Sequence, residues 1–216
     1  MNNWIFVLAG GPKGLIPDLN SIKGGVWVGV DHGVYRLLES GITPAAAFGD
    51  FDSVSEEEWQ LITSSELNEM HTFKPEKDES DMELALGWAI GQEPSKLSIY
   101  GATGGRIDHF MANAMILASE TFLHYTGTIE IVDRQNIITV HPPGTYSIEK
   151  LQDKKYISYI PLSAEVKDLT LQGFKYPLEN KKICMGSSLC ISNELEENTG
   201  TFSFSEGILM MVRSQD

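Results

Sequence analysis

The chain has 216 residues, of which 42% are hydrophobic, a formal net charge of -14 and a pI of about 4.7. That length and apolar content suit one large or two small domains with a real core and exclude a disordered chain. The acidity argues against a nucleic-acid backbone or an anionic membrane surface as partner, while a small anionic ligand stays open if cations or a metal screen it.

The opening segment, MNNWIFVLAGG, has no basic start, and its apolar run is too short for a signal peptide or a membrane span. It reads as a buried first strand, and the chain as cytoplasmic. VWVGVDHG reads as a second strand, HGVYRLLESG as a helix closed by Gly41, and PAAAFGD as a third short strand. SEEEWQLITSS is a helix capped by Ser55, KLSIYGATGG another strand, and DHFMANAMILASETFLHY the helix it leads into. Strands alternating with helices imply a parallel sheet with helices on its faces. After about residue 127 β-branched and aromatic residues alternate with polar ones, and TIEIVDRQNIITVHPPGTYSIE, KYISYIPLS, LTLQGFKYPLEN, ICMGSSLCISNEL and GTFSFSEGILMMVRS read as antiparallel strands and hairpins. The fold expected is therefore α/β: a parallel-sheet, Rossmann-like nucleotide domain over residues 1–126, then an antiparallel β-sandwich over 127–216. Cys184 and Cys190 lack CxxC spacing and fit reduced core thiols better than a disulfide framework or a zinc site, with a cross-strand pair as the alternative, and the five histidines show no paired metal-ligand spacing.

Ligands of a parallel α/β sheet bind at the carboxyl ends of its strands, and the notable residues of the first half fall there. Asp31 follows VWVGV, and Asp50 and Asp52 follow AAAF. In an extended segment residues two apart point the same way, so Asp50 and Asp52 would repel unless a divalent metal sat between them. Turn and N-cap chemistry explains any one such loop, but less readily four acidic or glycine-rich loops on one edge. Asp78, Asp81 and Glu83 sit at the start of the next helix, where Ser80 and Glu83 have capping-box spacing and Asp81 is left over to face the Asp50/Asp52 loop. Three carboxylates from two loops would suit Mg²⁺. GATGGRIDH adds Gly101, Gly104 and Gly105 for close approach of backbone N–H groups to phosphate, Arg106 to fork onto its oxygens, and Asp108 near the helix start. No P-loop and no standard dinucleotide fingerprint is present.

With VDHG, GDFDSV, KDESDMELAL and GATGGRIDHFMAN in series, then GFKYPLEN and ISNEL in the β-rich half, the sequence resembles the thiamine pyrophosphokinase family over nearly its whole length. The resemblance implies transfer of the pyrophosphoryl group of ATP to the hydroxyethyl oxygen of thiamine, giving thiamine diphosphate and AMP. It also implies a homodimer with thiamine near the subunit interface. Carried over by position, it makes Asp50, Asp52 and Asp81 the magnesium centre. Asp31, Lys77, Asp78, Gly104, Gly105 and Arg106 fall to the nucleotide, and Asp108, Tyr176, Ser192 and Asn193 to thiamine. Arg106 and the three metal carboxylates form the catalytic set, one of those carboxylates accepting the alcohol proton. Without the β-rich half the same features would fit another magnesium-dependent nucleotide enzyme, and a structural ion site beside a binding module is the non-enzymatic alternative.

Overall fold

The computed structural model describes residues 3–52, 54–67, 69–72 and 78–216, which divide into two compact units: residues up to 113 with 125–134, and 114–124 with 135–216. In the first unit the apolar runs become β1 (Trp4–Leu8), β2 (Val26–Val30), β3 (Ala46–Gly49), β4 (Glu69–Thr72), β5 (Lys96–Tyr100) and β6 (Thr128–Val132). They pair in parallel in the order β4-β3-β2-β1-β5-β6. β1, β2, β3 and β5 are buried along almost their whole length, so they read as continuous apolar runs and not as alternations. β4 is short and mostly exposed, and its residues EMHT carry no apolar run by which the sequence would announce a strand. β6 lies beyond residue 126 but belongs to this unit because it extends β5 in register, from Lys96 opposite Thr128 to Tyr100 opposite Val132.

Four helices follow the strand ends: α1 (His32–Glu39), α2 (Glu56–Ser64), α3 (Asp81–Gly91) and α4 (Ile107–Ile116). α2 starts on a complete capping box, in which Glu58 N–H donates to Ser55 Oγ at 3.3 Å and Ser55 N–H to Glu58 Oε2 at 2.8 Å. At α3, Glu83 N–H donates to Ser80 Oγ at 3.1 Å. The long helix expected from Asp108 to Tyr125 is broken. Ala118 and Ser119 N–H donate to Met115 and Ile116 carbonyls three residues back, which tightens the end of α4, and α5 (Glu120–Leu123) starts afresh. Phe6, Trp27 and Tyr100, with ring centroids 5.1 to 6.2 Å apart, gather Leu8, Ile16, Leu19 and Leu37 into one apolar cluster. Val34, Ala47, Phe51 and Ile62 join α1, α2 and β3 in another.

The second unit holds β7 (Asn136–His141), β8 (Gly144–Glu149), β9 (Tyr156–Pro161), β10 (Glu165–Gln172), β11 (Leu178–Cys184), β12 (Thr199–Phe204) and β13 (Leu209–Ser214). β7-β13-β9 and β11-β10-β12-β8 are each antiparallel. Residues from both sets meet in one core, among them Tyr159, Leu209 and Met211 from the first and Val166, Leu169 and Phe202 from the second, so this is a β-sandwich. Residues 185–195, expected as strand, form none. They are held instead by isolated bridges, Asn193 to Ile157 and Leu195 to Phe174. Cys184 and Cys190 are free thiols, Cys184 exposed and only Cys190 in the core. Among the described residues no helix is long and apolar enough to cross a membrane.

Candidate active site

The chain leaves β1 on one side through β2, β3 and β4, then crosses to the other side for β5 and β6. The strand order thus reverses between β1 and β5, and the loops after these two strands lie at the carboxyl edge, the place where open α/β sheets bind ligands. Asp31 follows β2, Asp50 follows β3 and Asp81 opens α3. Each offers a carboxylate oxygen, all lying within 4.8 Å of one another, and all three residues are half-buried. Asp31 has a φ of 49°, uncommon for a residue with a side chain and found where surroundings enforce it. Its N–H donates to Phe48 carbonyl at 2.8 Å, while Gly49 is a glycine of necessity, since a Cβ there would run into the Asp31 carboxylate.

The trio differs from the one expected, because Asp31 belongs to it and Asp52 does not. Phe51 has a φ of 56°, so the chain turns after β3 and the extended geometry that would align Asp50 with Asp52 does not exist. Asp52 N–H instead donates back to Asp50 Oδ1 at 3.1 Å, an Asx turn, and the Asp52 side chain faces solvent. Asp78 is exposed and outside the trio, and Lys77 lies outside the described residues. The signal for Asp31 was its place immediately after a strand adjacent to the one that carries Asp50.

In the loop after β5, Gly101, Gly104 and Gly105 take φ of 66°, 73° and 63°. Gly104 and Gly105 are exposed, and among the described residues nothing accepts from the N–H groups of Thr103, Gly104 or Gly105. The Thr103 hydroxyl is buried without a hydrogen-bond partner among those residues. Arg106 forks onto Asp108, Nε to Oδ1 at 3.1 Å and Nη2 to Oδ2 at 2.5 Å, and these bonds pull the exposed Asp108 carboxyl down to about 2. Asp108 is thus engaged by Arg106 in the first unit, whereas Tyr176, Ser192 and Asn193 come together in the second.

There Asn193, only 3% exposed, bonds to backbone through both its Oδ1 and its Nδ2. Its Oδ1 accepts from Tyr176 N–H at 3.0 Å and Glu194 N–H at 2.9 Å, and its Nδ2 donates to the Tyr176 carbonyl at 2.8 Å. Ser192, at φ 57°, is exposed, and its N–H donates to Ser158 Oγ at 2.9 Å. The Tyr176 ring is exposed, with Lys175 Nζ 5.7 Å from its centroid.

The family model described as "Thiamin pyrophosphokinase, catalytic domain" matches residues 21–127, and "Thiamin pyrophosphokinase, vitamin B1 binding domain" matches 145–209. The chain belongs to the thiamine pyrophosphokinase family. A thiamine pyrophosphokinase of Bacillus subtilis is 49% identical over 214 residues, spanning 98% of this chain and 99% of that one. The crystal structure of the Bacillus subtilis family member superposes with a TM-score of 0.92 at 47% identity, covering 99% of both chains. That from Geobacillus thermodenitrificans does so with 0.89 at 49% identity, covering 99% of this chain and 98% of that one. The family thus accounts for both parts of the chain, the α/β part and the β-sandwich.

Proposed function

We propose that the chain moves the pyrophosphoryl group of ATP onto the hydroxyethyl oxygen of thiamine, releasing AMP and forming thiamine diphosphate. The observation that carries the site is the cluster of Asp31, Asp50 and Asp81 at the carboxyl edge of the sheet. Three half-buried oxygen donors from three elements fit Mg²⁺, which takes its remaining ligands from water and phosphate. Bound there, Mg²⁺ supplies neutralisation of polyphosphate charge. The N–H groups of Thr103, Gly104 and Gly105 bind phosphate oxygens, and Arg106 forks onto them while Asp108 holds its guanidinium in orientation. Lys77 and Asp78 complete the nucleotide contacts. The exposed Asp52 carboxylate, outside the cluster, takes the alcohol proton as thiamine attacks the β-phosphorus.

In the second unit the Tyr176 ring stacks on the cationic thiamine and Ser192 meets its polar edge, on a backbone fixed by Asn193. The first unit is thus the ATP and metal domain and the second the thiamine domain, working in the cytoplasm, where ATP is held. A homodimer has support in α4, where Ile107 and Met111, four residues apart on one side of the helix, are 76% and 50% exposed and would be covered by a second copy. Thermal shift tests the assignment: Mg²⁺, ATP with Mg²⁺, and thiamine should each raise the melting temperature of the wild type. Absence of any shift with thiamine would remove the acceptor assignment.

A further inference from the structure

The loop after β1, Ala9 to Pro12, lies backbone to backbone on the glycine loop after β5. Ala9 N–H donates to the Tyr100 carbonyl at 2.9 Å and Gly11 N–H to the Gly101 carbonyl at 2.8 Å. The contact leaves no room for side chains. A Cβ on Gly11 would run into the carbonyls of Gly101 and Thr103, one on Gly101 into the Ala9 carbonyl, and one on Gly104 into Pro12 and Leu15. The position of the first loop therefore fixes that of the second.

What fixes the first loop is a side chain from α1. Arg36 Nη1 donates to the Gly11 carbonyl, so both polar groups of Gly11 are used, one toward the glycine loop and one toward the helix. The Arg36 guanidinium is half-buried, and burial lowers its pKa against the opposing fields of Glu39 and Glu58. Among the described residues it makes no ion pair. The carboxylates of Glu39 and Glu58 offset part of the cost of desolvating this cation, while its directional bond goes to a single backbone carbonyl. α1 also starts directly after Asp31, so one helix carries one of the three clustered carboxylates at its start and the clamp on the loop one turn later.

We propose that Arg36 is a positioning residue for the nucleotide: through Gly11 it holds the loop after β1 against the glycine loop and so sets the phosphate-binding backbone relative to the Asp31 cluster. This rests on the assignment of the glycine loop to ATP phosphates. Calorimetric titration of the full chain with magnesium-ATP and, separately, with thiamine tests it in the wild type, Arg36→Gln, Arg36→Lys and Arg106→Gln. Loss of one charge-assisted bond predicts that Arg36→Gln weakens ATP binding about tenfold or more and leaves thiamine affinity within about twofold, with Arg36→Lys in between because it keeps the charge and a donor. Unchanged ATP affinity in Arg36→Gln, or an equal loss for both ligands, overturns the proposal. If Arg36→Gln does not fold, Arg36→Lys replaces it, with weakened magnesium-ATP binding and thiamine affinity within about twofold expected, and unchanged ATP affinity or an equal loss for both ligands overturning the proposal. Arg106→Gln reports on the phosphate assignment alone: if it binds ATP as the wild type does, that assignment fails, while the Arg36 result still decides whether α1 controls the nucleotide.

Discussion

At Phe51 a single backbone angle decides which carboxylates meet. With φ at 56° the chain turns, Asp50 stays with Asp31 and Asp81, and Asp52 is carried out to solvent. The sequence shows two aspartates after a strand but not where the strand stops, so their spacing was legible and their division of labour was not. Asp50→Asn and Asp31→Asn should each cost at least about 10²-fold in turnover and abolish the rise in melting temperature on adding Mg²⁺. Asp52→Asn should lose turnover and keep that rise, and an absent Mg²⁺ response in Asp52→Asn would return it to the metal site. At α3 the neighbours Ser80 and Asp81 separate stability from catalysis. Ser80→Ala should cost about 0.5–2 kcal/mol and retain turnover per folded molecule. Asp81→Asn should leave the metal-free protein as stable or more so. Repulsion within the trio, on the order of 1–3 kcal/mol per pair for charges near a surface, exceeds the roughly 0.3–1 kcal/mol that a carboxylate gains at a helix N-terminus. A lower melting temperature with intact activity would make Asp81 a cap.

Elements with strong local signals were legible. The buried strands β1, β2, β3 and β5 are apolar runs, and the Ser55 cap of α2 is spelled out by S-x-x-E. The exposed β4, with no apolar run, carries no such signal, and the break between α4 and α5 comes from i→i−3 bonds in a stretch of good helix formers. The segment 185–195 has strand-like composition but is fixed by contacts far away in sequence, chiefly through Asn193. Its amide, expected at the thiamine site, bonds the Tyr176 and Glu194 backbone. Asn193→Ala would strand those buried groups. It should cost about 1–3 kcal/mol and raise the Michaelis constant for thiamine more than that for ATP, and the reverse kinetic pattern would detach this clamp from the acceptor site.

For the molecule as a whole, acid stability and self-association can be tested apart from catalysis. His141 packs against Tyr146 and Phe202, and burial pulls it down from 6.5 to about 4. The unfolded chain takes up this proton near 6.5, whereas the folded chain resists it until about 4. The contribution is therefore full above 6.5 and lost as pH falls through that window, at most about 3 kcal/mol. Melting temperatures from pH 7 to 4 should fall more steeply for the wild type than for His141→Gln, and parallel curves would remove His141 as the cause. If α4 is the self-association surface, Met111→Glu should give monomers in sedimentation, and an unchanged oligomeric state would clear that surface. The most direct test of the central claim is product analysis after incubating the pure chain with ATP, Mg²⁺ and thiamine. The account predicts AMP and thiamine diphosphate in equal amounts, and ADP with thiamine monophosphate would contradict it.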